Sequence, residues 1–156
     1  MGLFRYLKLP KIYLIEHHTG AGLALETGVI YPGEILTIAC SAPVLMTREE
    51  QAAFYPTVSE EWSKPRKDGS QFMTTWNMMK DYVIGDLGMK DHEMHNALRE
   101  WKARPQAYGV LSKQDKLTYF KQIICPLLPV CAETSTLGPY VQYCKELVIG
   151  VSHPSK

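Results

Sequence analysis

Between residues 70 and 121 the apolar side chains recur at helical spacing, and this stretch restricts the chain to folds that bury helices. Phe72, Trp76, Met79 and Val83 fall on one face, widened by Met73 and Ile84. A helix with such a stripe has to pack. Asp68-Gly69 supplies a turn ahead of it, Ser70 can act as its N-cap, and Gly85-Asp86 stops it. Met94, Leu98 and Trp101 mark a second helix, with Asp91 as N-cap and Pro105 as its end. Ser112 and Asp115 have capping-box spacing ahead of a third, in which Leu117, Phe120, Lys121 and Ile124 keep the period. The spacing predicts that Phe72, Trp76, Met79, Val83, Leu98 and Trp101 share one buried cluster with Leu117 and Phe120.

Upstream, Thr47 and Glu50 form another capping box, opening a short helix through Phe54 that Pro56 breaks, with a further turn at Ser59. Nearer the N-terminus, Tyr13, Leu14 and Ile15 have the β-branched and aromatic character of a short strand or a docking arm. Residues 23–26 and 28–31, the Pro32-Gly33 turn and residues 34–40 then read as strand, turn and strand. Beyond Ile124 the paired Pro126 and Pro129 interrupt the pattern, and residues 140–149 can form one last amphipathic helix. The expected class is mainly α: a small helical bundle with an extended or β-hairpin extension. The division is residues 1–46 as arm and hairpin, 47–124 as bundle core and 125–156 as a C-terminal extension with one helix.

Composition narrows the function classes. A length of 156 residues suits one domain, or one with a structured extension, and 46% hydrophobic with 21% charged residues argues against disorder. The net charge of +1 gives no electrostatic reason to expect nucleic acid, and Lys64, Arg66 and Lys67, the only tight basic group, read as a solvated loop. Cys40, Cys125, Cys131 and Cys144 lack the two-residue gaps of zinc knuckles or redox pairs and read as reduced, buried thiols. The first residues are interrupted by Arg5, Lys8, Pro10 and Lys11, so no signal peptide is read and an intracellular location is expected. Three basic residues before the first acid, Glu16, suit mitochondrial import, although the segment is not Ser-rich. Tyr6 breaks the myristoylation pattern that Met1-Gly2 starts, and no apolar run is long enough to span a bilayer.

Residues 20–36, with Gly20-Ala21-Gly22 and Pro32-Gly33-Glu34, resemble the opening hairpin of SET-domain methyltransferases, where a Gly-x-Gly turn lies near the methyl donor. Nothing downstream looks like the Asn-His-Ser segment that closes the cofactor pocket of those enzymes, so the hairpin is read as structural. Over about residues 54–121 the chain resembles the acyl-CoA-binding protein family, a four-helix bundle. Trp76, Met79, Lys80 and Gly85-Asp86 keep the spacing of that family's aromatic, aromatic, Lys and Gly-Asp. Glu100-Trp101 with Ala103 stands where it has Lys-Trp and a small residue. Gly109, Ser112, Asp115 and Tyr119 fall near its last helix, and Phe54, Val58 and Lys64-Pro65 near the end of its first. The resemblance implies a ligand site at Trp76, Lys80 and Tyr119. Glu100 departs from it, since a carboxylate there repels the CoA phosphates. Residues 97–121 also resemble the matrix-side segment of cytochrome c oxidase subunit IV, without that subunit's membrane span.

No complete catalytic constellation is present. His92 and His95 share a helix face with Glu93 between them, but the zincin spacing fails and no third ligand is specified. His17, His18 and Cys40 form a second loose set. Cys125 sits among apolar residues that raise a thiol pKa, and Gly20-Ala21-Gly22 lacks the rest of a phosphate-loop pattern. No cofactor and no metal is expected, and the chain reads as a non-enzyme. Large apolar residues in loops and ends, among them Leu3, Phe4, Tyr6, Tyr13, Tyr55, Trp62, Tyr108, Leu127, Leu128 and Tyr140, either fold back on the core or meet partners. The expected function is an accessory subunit of a larger assembly, with a mitochondrial respiratory-chain complex as the setting. The alternative is a carrier of acyl-CoA or another acidic lipid.

Overall fold

The computed structural model describes residues 1–58, 61–82, 85–132, 135, 137–141 and 143–144. Among these the chain is mainly helical, with seven α-helices, three strands and a 3-10 turn at Gly138–Val141. It folds into two compact units, residues 1–51 with 113–156, and residues 52–112. This grouping differs from the sequence-expected division at residues 46 and 124, because the N-terminal segment and the region after residue 113 build one core together.

The first unit is a β-α-β structure. Strand β1 (Ile12–His17) leads through a tight turn into helix α2 (Thr19–Ile30), which returns the chain to strand β2 (Ile35–Ser41), and β3 (Leu127–Val130) lies on the far side of β2. Both pairings are parallel, with Leu14 opposite Ile38 and Ile38 opposite Leu127, and one irregularity between Ile12 and Tyr13. The expected β-hairpin is therefore corrected. Residues 23–30 belong to a helix, and a helical crossover is what allows consecutive strands to run parallel. The period that marks α2 is carried by small residues: Ala21, Ala24, Leu25 and Gly28, spaced i, i+3, i+4, i+7, are its buried stripe. Its exposed side includes Leu23 and Ile30, so no polar face advertises the helix. Pro32-Gly33 follows α2 as its exit turn.

The inner sheet face and α2 enclose the core of this unit, with Leu25, Ile35, Ile38, Cys40, Leu45, Phe120 and Cys144 buried together. Helix α7 (Lys116–Gln122) packs on α2. Gly28 permits the approach, since a Cβ there would lie 2.6 Å from the Cδ1 atoms of both Ile38 and Ile123. A short helix α1 (Gly2–Tyr6) precedes β1, and Arg5 is tied to Glu34 by an ion pair. Helix α3 (Arg48–Val58) opens with the expected capping box: the Glu50 amide donates to Thr47 Oγ1 at 3.2 Å, and the Thr47 amide to Glu50 Oε2 at 2.7 Å. It runs on through Pro56 to Val58, so that proline does not break it as the sequence suggests.

The second unit holds α4 (Ser70–Tyr82), α5 (Leu87–Arg99) and α6 (Ala103–Leu111), with α4 packed on α5. Asp68 Oδ1 accepts from the Ser70 amide at 3.1 Å, so Asp68 organises the start of α4. Asp86 caps α5 by accepting from the Met89 amide at 2.9 Å, which places Asp91 inside that helix. Pro105 sits in the first turn of α6, where its missing N–H is tolerated. Asp115 is itself the N-cap of α7, accepting from the Thr118 amide at 3.1 Å, while Ser112 closes α6 and donates to the Gly109 carbonyl.

Phe72 stands exposed, so the buried cluster expected from the stripes is not formed as predicted. Leu117 and Phe120 belong to the first unit, whereas residues 72 to 101 belong to the second. Along α4 the buried positions are Gln71 and Thr75, Trp76 and Met79 are half-buried or better, and Phe72 and Met73 are exposed. The aromatic that is buried in this unit is Trp62, with the Arg104 guanidinium 4.4 Å from its ring centroid. Ser59, Val83, Ile84 and most of the helix expected over residues 140–149 lie outside the described residues.

Candidate interaction surface

Alternation along β1, β2 and β3 divides their side chains between two faces. Ile12, Leu14, Ile38, Cys40 and Leu127 point into the core under α2. The other face carries Tyr13, Ile15 and His17 from β1, Thr37, Ala39 and Ser41 from β2, and Leu128 and Val130 from β3. The register sets Tyr13 beside Thr37, aligns Ile15, Ala39 and Leu128 in one row, and His17, Ser41 and Val130 in the next. Exposure on this face is high: Tyr13 71%, Ile15 81%, Leu128 57% and Val130 52%. None of the eight side chains carries a formal charge with His17 neutral. A parallel sheet is ordinarily covered by structure on both faces, and a contiguous bare apolar patch on a folded chain marks a place of contact.

At the carboxyl ends of the strands the turn from β1 into α2 is sharp. His18 takes φ 50 and ψ −107, a conformation that non-glycine residues rarely hold, and its amide donates to the Ser41 carbonyl at 2.8 Å. Ala42, at φ 49, ends β2 and donates to the Val130 carbonyl at 2.6 Å. The ring centroids of His17 and His18 lie 5.8 Å apart. Cys40 is register partner to Glu16 and points into the core, where its thiol lies 4.0 Å from the Ala21 carbonyl, while His17 projects to the opposite face. His17, His18 and Cys40 are thus not gathered as ligands.

The thiols behave as core groups. All four cysteines are free. Burial, with smaller contributions from Cys144 and Glu16, pushes the Cys40 thiol up to about 12, and burial followed by Cys131 pushes Cys144 up to about 11. Burial also raises Cys125. None of these surroundings favours a thiolate nucleophile.

Of the residues expected to bind an acyl-CoA, Trp76 and Lys80 belong to the second unit and Tyr119 to the first. Trp76 and Lys80 lie one helical turn apart on α4, with Lys80 exposed and its carbonyl accepting from Lys90 Nζ at 3.3 Å. Tyr119 is on α7 and packs against the core of the first unit. Glu100, at the C-cap of α5, is exposed. His95 Nδ1 lies 2.8 Å from the Asp91 carbonyl, the geometry of a solvated helix surface, and no cluster of three or more His, Cys, Asp or Glu able to hold a metal occurs among the described residues. The basic loop is occupied locally: Lys64 pairs with Glu61, and Arg66 Nη1 reaches Ser70 Oγ at 3.3 Å and Thr74 Oγ1 at 3.4 Å. No helix among the described residues is long and apolar enough to cross a membrane.

Sequence reasoning names Tyr13 and Ile15 as part of a strand or docking arm and Leu128 as a sticky apolar residue, but misses Ala39 and Val130 and the surface that unites them. The period-two pairs Tyr13/Ile15 and Leu128/Val130 carry the signal. They are far apart in sequence and become neighbours only through β2. No family model and no curated protein matches this chain.

Proposed function

We propose that this chain is a non-catalytic accessory subunit that docks into a larger protein assembly. The observation that carries the reading is the outer face of the parallel sheet, which the described residues leave open, with Tyr13, Ile15, Leu128 and Val130 exposed on a sheet whose opposite face is engaged by the core. Apolar area of this kind gains on the order of 25 cal/mol per Å2 when a partner covers it. The N-terminal segment adds exposed Leu3, Tyr6, Leu7 and Leu9 ahead of β1. The mitochondrial respiratory-chain setting rests on the basic N-terminal residues and the subunit IV-like segment at residues 97–121. Native mass spectrometry and size-exclusion chromatography of the tagged chain from its own cells test the reading. Recovery in a stoichiometric hetero-complex is expected, and a stable, soluble monomer without a stoichiometric partner overturns it.

The alternative, a carrier of acyl-CoA or another acidic amphiphile, is supported by the i, i+4 placement of Trp76 and Lys80 on α4, which sets an apolar ring next to an exposed cation. Glu100 is a carboxylate where phosphate would need a cation. The accessory-subunit reading is therefore preferred.

A further inference from the structure

The two edges of the parallel sheet differ in what they offer another chain. Ile12 and His18 donate to the carbonyls of Glu34 and Ser41 at 3.0 and 2.8 Å, so the even-numbered residues of β1 turn their backbone groups to β2. By alternation the N–H and C=O groups of Tyr13, Ile15 and His17 point away from the sheet, and among the described residues nothing bonds to them. On the other side, Ile38 and Ala42 donate to the carbonyls of Pro126 and Val130 at 3.0 and 2.6 Å, which turns Leu127 and Pro129 outward. Pro129 has no N–H and interrupts that edge. The β1 edge is unbroken, since Ile12–His17 contains neither proline nor lysine. Its free groups recur at every second residue along about 20 Å. An α-helix has its own backbone groups bonded internally, so an extended strand is the regular element that can satisfy this edge.

Glu16 decides which strand. It alternates with Leu14 on the inner side of β1, half-buried, with its carboxylate against Gly20 in the first turn of α2. No described residue forms an ion pair with it. A two-fold pairing of β1 with the same strand of a second copy, centred on Leu14, Ile15 or Glu16, would set Glu16 against Ile12, Leu14 or its own counterpart. An inward charge on an edge strand opposes such self-pairing, whereas a segment with a cation at the facing position complements it.

We propose that the β1 edge receives one extended segment of about six residues from a different polypeptide, adding a strand to the sheet with a Lys or Arg facing Glu16. This inference rests on the accessory-subunit reading and names the docking element and its chemistry. Main-chain bonds to Tyr13, Ile15 and His17 hold the segment. On the outer face its alternate side chains lie beside the exposed Tyr13 and Ile15, which favours β-branched or aromatic residues there.

Hydrogen exchange resolved to single amides tests the proposal, on the isolated full chain and on the complex recovered with the tagged chain from its own cells. The amides of Tyr13, Ile15 and His17 are expected to exchange freely in the isolated chain and at least tenfold more slowly in the complex. Those of Leu14 and Glu16, bonded to β2, should be slow in both. Ile15→Pro, which deletes the central edge N–H, is expected to lower recovery of the partner at least tenfold, while Ile15→Thr, which keeps it, leaves recovery within about twofold. Exchange over residues 35–41 reports whether the proline variant keeps its sheet; if it does not, the comparison of the three amides in the unaltered chain decides. A photoreactive phenylalanine analogue at Tyr13 maps the partner segment, which should carry a Lys or Arg. Slow exchange of the three amides in the isolated chain overturns the proposal, as do adducts to a second copy, to lipid or to a segment without a basic residue. A stoichiometric partner that leaves the three amides exchanging freely sinks the added strand and leaves the accessory subunit standing. Absence of any partner sinks both.

Discussion

Replacing Gly28 by alanine tests the central packing contact of the first unit, because two opposing effects of known size meet at that residue. In a helix interior the change favours folding by about 0.8–1 kcal/mol through backbone entropy. The new methyl would lie 2.6 Å from the Cδ1 atoms of Ile38, on β2, and Ile123. Overpacking of this kind costs about 1–3 kcal/mol, so a net destabilisation of about 1 kcal/mol is expected. Valine at both 38 and 123 removes the two Cδ1 methyl groups that the added side chain would strike, at about 0.5–1.5 kcal/mol each. In that background Gly28→Ala should reverse sign and stabilise by up to about 1 kcal/mol, a coupling on the order of 1–2 kcal/mol. Amide hydrogen exchange read on peptides from residues 19–30 and 35–41 isolates the unit concerned. Tryptophan fluorescence does not, since Trp62, Trp76 and Trp101 all lie in the second unit. If Gly28→Ala stabilises the otherwise unchanged chain, or if its effect is the same in both backgrounds, then α2 does not sit on Ile38 as described.

Three further outcomes follow from the same geometry. The folded-state pKa values of Cys40 and Cys144, about 12 and about 11, lie above the ordinary thiol value of 9.0, so the stability they contribute is complete below pH 9 and is lost as pH rises towards 11–12; urea midpoints should fall over that window, and a Cys40→Ala, Cys144→Ala double variant that falls as steeply would refute the assignment. Trp62→Ala should cost about 3–5 kcal/mol and Phe72→Ala under about 1 kcal/mol, since Trp62 is buried and Phe72 is not; chemical denaturation followed by the remaining tryptophans reads both, and equal costs would contradict the packing of the second unit. Titration calorimetry with a long-chain acyl-CoA should show no saturable heat at micromolar protein, whereas saturable binding that weakens in Lys80→Ala and tightens in Glu100→Lys would restore the carrier reading.

The helical character of the chain is legible wherever a local signal suffices. A capping box acts over four residues, and Thr47 and Glu50 realise theirs as written. The stripe from residue 70 onward announces α4 because a 3.6-residue period is a property of the segment itself. What faces that stripe is not local, and the structure buries Gln71 and Thr75 where the pattern points to Phe72 and Trp76. Helix α2 is easily misread because its buried stripe is made largely of alanine and glycine, which carry little hydrophobic contrast, while its glycines and the following Pro32-Gly33 imitate hairpin turns. Only the tertiary structure shows why small residues stand there: Gly28 lets the helix approach within contact of Ile38 and Ile123. The outer sheet face is hidden for a related reason. Its side chains come from residues 13–17, 37–41 and 128–130. Sequence sets the alternation within each strand, but which strands lie side by side, and which face is left bare, is decided by parallel pairing between segments far apart along the chain.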